Sequence, residues 1–90
     1  MDRIDLFRIF ARVVDCASFT RAADTLGIPR SSVSAAVQEL EARVGARLLN
    51  PTTRKVSPTE DGPACYDRCQ RLTAYAEDAE NLARQSAAQP

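Results

Sequence analysis

Ser18-Phe19-Thr20-Arg21-Ala22-Ala23-Asp24-Thr25-Leu26-Gly27-Ile28-Pro29-Arg30-Ser31-Ser32-Val33-Ser34-Ala35-Ala36-Val37-Gln38-Glu39-Leu40 reads as two helices joined by a tight turn. Ala22, Ala23 and Leu26 fall at helical spacing and share a face. The two alanines let a neighbouring helix come close. Ser18 or Thr20 can cap the first helix, a side-chain oxygen taking up orphan backbone N–H groups. Gly27 falls where that helix must stop, and glycine takes φ > 0 without steric penalty. Ile28 can plug the underside of the turn. Pro29 suits the first position of the second helix, where its missing N–H would lack a partner anyway.

The second helix should run from about Pro29 to about Val44. Val33, Val37, Leu40 and Val44 lie 4, 3 and 4 residues apart and form one apolar stripe. Arg30, Ser31, Ser34, Ala35 and Gln38 lie on the other faces. An arginine can donate two hydrogen bonds to a guanine edge, and serine can bond a base or a phosphate. An amphipathic helix with a solvated serine-rich face would show the same pattern by itself. The Ala-Ala…Leu-Gly turn ahead of it favours a helix-turn-helix, in which the second helix can enter a DNA major groove.

Ninety residues make one small domain, or one domain with an extension, and a core of this size gains from oligomerisation. With 44% hydrophobic residues the chain is globular in composition. No apolar run is long enough to span a membrane, and Met1-Asp2-Arg3-Ile4-Asp5 lacks the layout of an export signal, so a cytoplasmic location is expected. Cys16, Cys65 and Cys69 cannot all pair within one chain. Cys65 and Cys69 have a spacing that could hold a metal, but there is no histidine and no other close cysteine pair. Small core side chains are the favoured reading, with no metal and no cofactor.

Twelve basic and twelve acidic residues give a net charge of zero, unlike many nucleic-acid binders. The charge is nevertheless separated along the chain. Residues 1–58 carry nine basic and six acidic side chains, or +3; residues 59–90 carry three and six, or −3. Such an asymmetry suits a molecule that meets DNA with one half.

A first helix over about Asp2–Ala17 should bury Leu6, Phe10, Val13, Val14 and Ala17, with Phe7 beside them, as a brace for the helix pair. Gly45 is placed to stop the second helix of the pair. Short extended pieces near Leu48-Leu49 and Val56-Ser57 flank a polar tip, so residues of about 47–58 are expected to form a β-hairpin wing, with Pro51 beginning the turn. Arg54 and Lys55 are the densest positive pair of the chain. They are either solvated charges on a turn or, beside a helix-turn-helix, contacts to phosphates or a minor groove.

Thr59 can cap the last helix, with Glu60 and Asp61 at the positive end of its dipole and Pro63 in its first turn. This helix should reach about Gln85. Cys65, Cys69, Leu72, Ala76, Ala79 and Ala83 follow a 4-3-4-3-4 spacing, with Tyr75 and Leu82 alongside. The seam either packs on its own domain or, with no later element to cover it, on the same helix of a second copy.

Ser18-Phe19-Thr20-x-Ala22-Ala23-x-x-Leu26-Gly27, Val33-Ser34, Leu40-Glu41-x-x-x-Gly45-x-x-Leu48-Leu49, Thr53-Arg54 and Thr59-Glu60-x-Gly62 together resemble the N-terminal region of LysR-type transcriptional regulators, over about residues 1–86. The resemblance implies a mainly α fold: a winged helix-turn-helix of three helices and a short β-hairpin over residues 1–59, with the helix-turn-helix at about 19–38. A linker helix for dimerisation would follow over 60–86, and 87–90 would lead toward an effector-binding domain absent from this chain. It also implies a homodimer, of higher order in a full-length protein, on inverted-repeat promoter DNA. A small-molecule effector would act only through the absent domain.

Carried over by position, the expected DNA-facing set is Ser18, Thr20, Arg30, Ser31, Ser32, Ser34, Ala35, Gln38, Thr53, Arg54 and Lys55. The expected dimer set is Cys65, Cys69, Leu72, Tyr75, Ala76, Ala79, Leu82 and Ala83. Relatives often carry Gln, Pro and Arg at the places of Arg30, Ser31 and Ala35, so a different base preference is implied. Pro51 stands where arginine is usual, removing a positive charge from the wing root, and Pro29 replaces the usual capping serine. The competing reading is a winged-helix protein–protein module that does not touch DNA. An enzyme is disfavoured: there is no histidine for proton transfer, no glycine-rich phosphate loop, and no base near Ser31, Ser32 or Ser34 in sequence.

Overall fold

A computed structural model of the chain describes residues 2–50 and 57–88. Its elements run α1 (Arg3–Cys16), α2 (Phe19–Leu26), α3 (Arg30–Val44), β1 (Leu49–Asn50), β2 (Ser57–Pro58) and α4 (Gly62–Ala88). Each of the first three helices ends in a residue of left-handed conformation. Two of these are the anticipated glycines, Gly27 (φ 68) and Gly45 (φ 71); the third is Ala17 (φ 52), outside the helix in which the sequence placed it. Asp2 caps α1 by accepting the Ile4 N–H at 3.3 Å.

The core lies where α1, α2 and α3 converge. Leu6, Phe10, Val13, Ala22, Val33 and Leu40 are at most 1% exposed, and Leu48, Leu49 and Cys69 close the cluster from below. α1 packs against α2, α3 and the start of α4. It is the brace on which the other helices are mounted. The expected α1 stripe holds for Leu6, Phe10 and Val13, whereas Val14 and Ala17 are half-buried and Ile9 and Ala11 are buried in their stead.

The α3 stripe is shorter than its spacing suggests. Val33, Val37 and Leu40 are buried with Ala36, but Val44 is 50% exposed. It sits in the last turn, beside the Gly45 cap, and does not join the core cluster. β1 and β2 are antiparallel, with Leu49 opposite Pro58 and Asn50 opposite Ser57. The ladder is thus displaced by one residue from the expected strands in each arm, because Leu48 is committed to the core and to a hydrogen bond from Thr59.

The start of α4 also differs from expectation. The Thr59 hydroxyl donates to the Arg47 carbonyl at 2.6 Å, tying the wing root to the chain below it. The helix begins three residues later, so Glu60 and Asp61 lie ahead of its first turn. Gly62 is buried there, and a Cβ on it would stand 2.6 Å from the Pro58 Cβ and 2.7 Å from the Leu48 oxygen. From this root α4 runs 27 residues, and the described molecule extends over 54 × 25 × 20 Å. No described helix is long and apolar enough to cross a membrane.

Candidate nucleic-acid interface

Ser18, not Thr20, caps α2: its Oγ accepts the Arg21 N–H at 3.1 Å. A capping oxygen of this kind stabilises a helix by about 1 kcal/mol. At the other end both the Gly27 and Ile28 N–H groups reach the Ala23 carbonyl, at 2.9 and 3.2 Å, and the chain turns sharply into α3. Ala22 and Ala23 are buried beneath that turn. Pro29 is the N-cap of α3, one position earlier than expected, and offers no side-chain cap. The Ser32 and Val33 N–H groups fold back to its carbonyl at 3.0 and 3.3 Å. Among the described hydrogen bonds, the Arg30 and Ser31 N–H groups have no acceptor at the positive end of α3.

With Val33, Ala36, Val37 and Leu40 turned into the core, α3 presents Arg30, Ser31, Ala35 and Gln38 to solvent, and Ser34 half-buried between them. Arg30, Ser34 and Gln38 succeed one another at intervals of four, along a single ridge. Ser32 stands apart on the flank of the helix, half-buried. The Arg30 guanidinium lies 5.8 Å from the centre of the Phe19 ring, within the range of cation–π attraction. Ser18 is half-buried and Thr20 exposed at the start of α2. Ser34 and Gln38 also border a shallow hollow of about 250 Å³, shared with Phe19, Glu41, Arg47 and Leu49.

Glu41 is the residue whose role the spacing did not reveal. One carboxylate oxygen accepts the Leu48 N–H at 2.7 Å and the Leu49 N–H at 3.2 Å. A carboxylate near the C-terminal end of a helix faces the negative pole of the dipole, and these two donors offset that. The bond fixes the root of the hairpin to α3. Thr53, Arg54 and Lys55, with Pro51, lie outside the described residues.

Among the described residues every ion pair within 4.0 Å lies on α4: Asp67 with Arg68 and Arg71, and Glu80 with Arg84. The cations on α3 are therefore not neutralised by these pairs. The expected seam on α4 divides in two. Cys69 is 2% exposed, held in the core of its own chain against the braced helices, and is not available to a second copy. Cys65 is half-buried against the same core, and Leu72 and Ala76 are half-buried too. Tyr75, Ala79, Leu82 and Ala83 are exposed, Tyr75 to 74% and Leu82 to 58%.

A helix pair on a brace, with a hairpin bolted beneath its second helix, places the molecule in the winged helix-turn-helix class. Residues 4–63 match the family described as bacterial regulatory helix-turn-helix protein, lysR family, and the chain belongs to that family. It is 47% identical over 90 residues to an HTH-type transcriptional repressor of Pseudomonas aeruginosa, covering 100% of this chain and 28% of that protein. The fold superposes on the crystal structure of a BenM_DBD/catB site 1 DNA complex with a TM-score of 0.93 and 30% identity, covering 100% of this chain and 99% of that one. The oxidized form of Corynebacterium glutamicum OxyR gives a TM-score of 0.91 at 28% identity, over 97% of this chain and 27% of that one. The chain thus spans less than a third of the length of the Pseudomonas relative.

Proposed function

We propose that the chain is a sequence-specific binder of double-stranded DNA, acting as a homodimer on inverted-repeat promoter sites. The observation that carries this is the α3 ridge of Arg30, Ser34 and Gln38, with Ser31 and Ala35 beside it, on a helix anchored along its opposite side. Short side chains let the backbone of such a helix approach base edges closely, and Arg30 supplies a two-pronged donor for guanine. Ala35 offers a methyl group to a thymine methyl. The Arg30 and Ser31 N–H groups suit a phosphate at the groove edge. Likeness over its whole length to a domain in a DNA complex supports the same reading.

In this reading α3 lies in the major groove, and Arg54 reaches the adjacent minor groove from the wing with Thr53 and Lys55 near phosphates. Ser18 and Thr20 meet the backbone, and Ser32, on the flank of α3, would do so at most. Residues 1–59 act as the reading head, and the exposed stretch of α4 pairs two copies through Tyr75, Ala79, Leu82 and Ala83. No chemical step is assigned to any residue, and the work is done in the cytoplasm.

Selection of bound sequences from a random duplex pool, followed by a salt titration on the selected site, tests the proposal. Log affinity should fall linearly with log salt, each neutralised phosphate adding about 0.9 to the slope. A flat response, or no binding at low salt, would sink it. Arg54→Ala should weaken binding on A·T-rich flanks most; unchanged affinity would remove the wing from the interface. A dimer that shifts no duplex would favour a protein–protein module, the reading to which the zero net charge lends support.

A further inference from the structure

The head and α4 are joined by an apolar contact and a polar one. The apolar contact is centred on Cys69 in the core, with Cys65 and the Tyr66 ring packed against the same cluster. The polar one is centred on Tyr66, in the second turn of α4. Its hydroxyl donates to Asp15 Oδ1 in the last turn of α1, 51 residues away in sequence. The same oxygen accepts Gln70 Nε2 at 2.5 Å from the next turn of α4. The phenol is pushed above its usual range, first by the hydrogen bond to Asp15 and then by burial. It therefore stays protonated, and a donor, throughout the neutral range.

The two contacts constrain different things. A buried thiol among aliphatic side chains fixes how closely α4 approaches the brace, but dispersion contacts have little angular preference. A hydrogen bond weakens steeply as it departs from linearity. The Tyr66–Asp15 bond therefore resists rotation of α4 about its Cys69 pivot, and Gln70, on α4 itself, steadies the phenol that makes it. Beyond that pivot α4 continues to Ala88, a lever of roughly 28 Å at about 1.5 Å per residue. Tilting such a lever by 10° would carry its end about 5 Å, more than the ~3.4 Å that separates neighbouring base pairs along a strand.

We propose that Asp15, Tyr66 and Gln70 form a clasp that sets the direction of α4 relative to α3, and so selects the half-site spacing that a dimer of this chain accepts. The inference rests on the DNA-binding reading above. Tyr66 is a positioning residue: it touches no DNA and leaves the α3 ridge unaltered.

The test compares the wild-type chain with Tyr66→Phe, which keeps the ring and removes both hydrogen bonds. Duplexes carry the selected half-site once, or as an inverted repeat with the spacer varied by single base pairs. In parallel, residual dipolar couplings of the free protein report the direction of α4 against α3. The wild type should prefer one spacer. Y66F should bind the single half-site as tightly as the wild type, show a changed or more widely distributed α4 direction, and lose about fivefold of its spacer preference, the equilibrium weight of one net hydrogen bond. Asp15→Asn in the wild-type background, which retains an acceptor for the Tyr66 hydroxyl, should keep part of that preference. An unchanged spacer profile, or a weakened single half-site, overturns the proposal. If the wild type binds no duplex, the DNA-binding reading fails, and the α4 direction still decides the clasp: an unchanged direction in Y66F overturns it, a changed one supports it.

Discussion

Ala17 holds φ 52 and ψ 32 between α1 and α2, a left-handed conformation that a Cβ disfavours by roughly 1–2 kcal/mol. Its N–H still reaches the Val14 carbonyl at 3.2 Å, so the turn is held by the helices on either side. Ala17→Gly relieves the Cβ clash but adds backbone entropy to the unfolded chain. We expect a net gain of up to about 1 kcal/mol, read from the midpoint of urea unfolding. At Cys69, burial first and the neighbouring Cys65 second push the thiol from 9.0 up to about 12. The unfolded thiol ionises near 9.0 and the folded one keeps its proton to about 12, so stability is intact below pH 9.0 and declines as pH rises through that window. Tyr66, raised above 10.0, adds to the same decline at higher pH. Thermal melts across that range should show a slope that is shallower in Cys69→Ala. Cys69→Ser, which buries a hydroxyl in an apolar site, should destabilise by about 1–3 kcal/mol.

Single residues divide by whether their signal is local. Gly27 and Gly45 were legible, and the α2 cap was narrowed to Ser18 or Thr20, because a glycine at a helix end or a hydroxyl ahead of one carries its own conformational meaning. Ala17 was not, since alanine favours helix and only the packing of α1 against α2 forces it out. Glu41 and Tyr66 were not legible either. Their partners, Leu48 and Leu49 in one case and Asp15 in the other, are brought to them by the tertiary fold alone.

Between elements, the hairpin root depends on a charge at the end of α3 and on a missing side chain at the start of α4. Glu41→Ala would leave the part-buried Leu48 and Leu49 N–H groups without their acceptor, a loss of about 1–3 kcal/mol. Gln in its place, with an uncharged acceptor, should lose less. Gly62→Ala would push a methyl group against Pro58 and the Leu48 carbonyl, and overpacking of that kind destabilises by about 1–3 kcal/mol. Urea unfolding of the three variants checks both. The order and type of the helices were readable because apolar spacing and turn residues agreed. The strand register was not: with two residues per arm there is no alternation to read, and Leu48 enters the core instead. Thr59 misled for a related reason, its hydroxyl being committed to Arg47 across the hairpin root.

At the scale of the molecule, the α4 seam was legible as a repeat but not as two surfaces. Periodicity shows which residues share a face, not where the brace beneath that face comes to an end. The head covers Cys65 and Cys69, whereas Tyr75, Ala79, Leu82 and Ala83 are exposed and form the surface proposed above for a second copy. Leu82→Glu should therefore lower the dimer fraction in sedimentation while the melting of the head is unchanged; an unchanged dimer would move the pairing surface elsewhere.

The separation of charge along the sequence has a practical consequence. At physiological salt a charge is screened over about 8 Å, so a polyanion responds to the cations nearest to it and not to the formal charge of the whole chain. A polyanion meets a cation, although the formal charge of the chain is zero. On a column, such a protein should be retained by heparin through its head and by an anion exchanger through its α4 end, whatever its isoelectric point suggests.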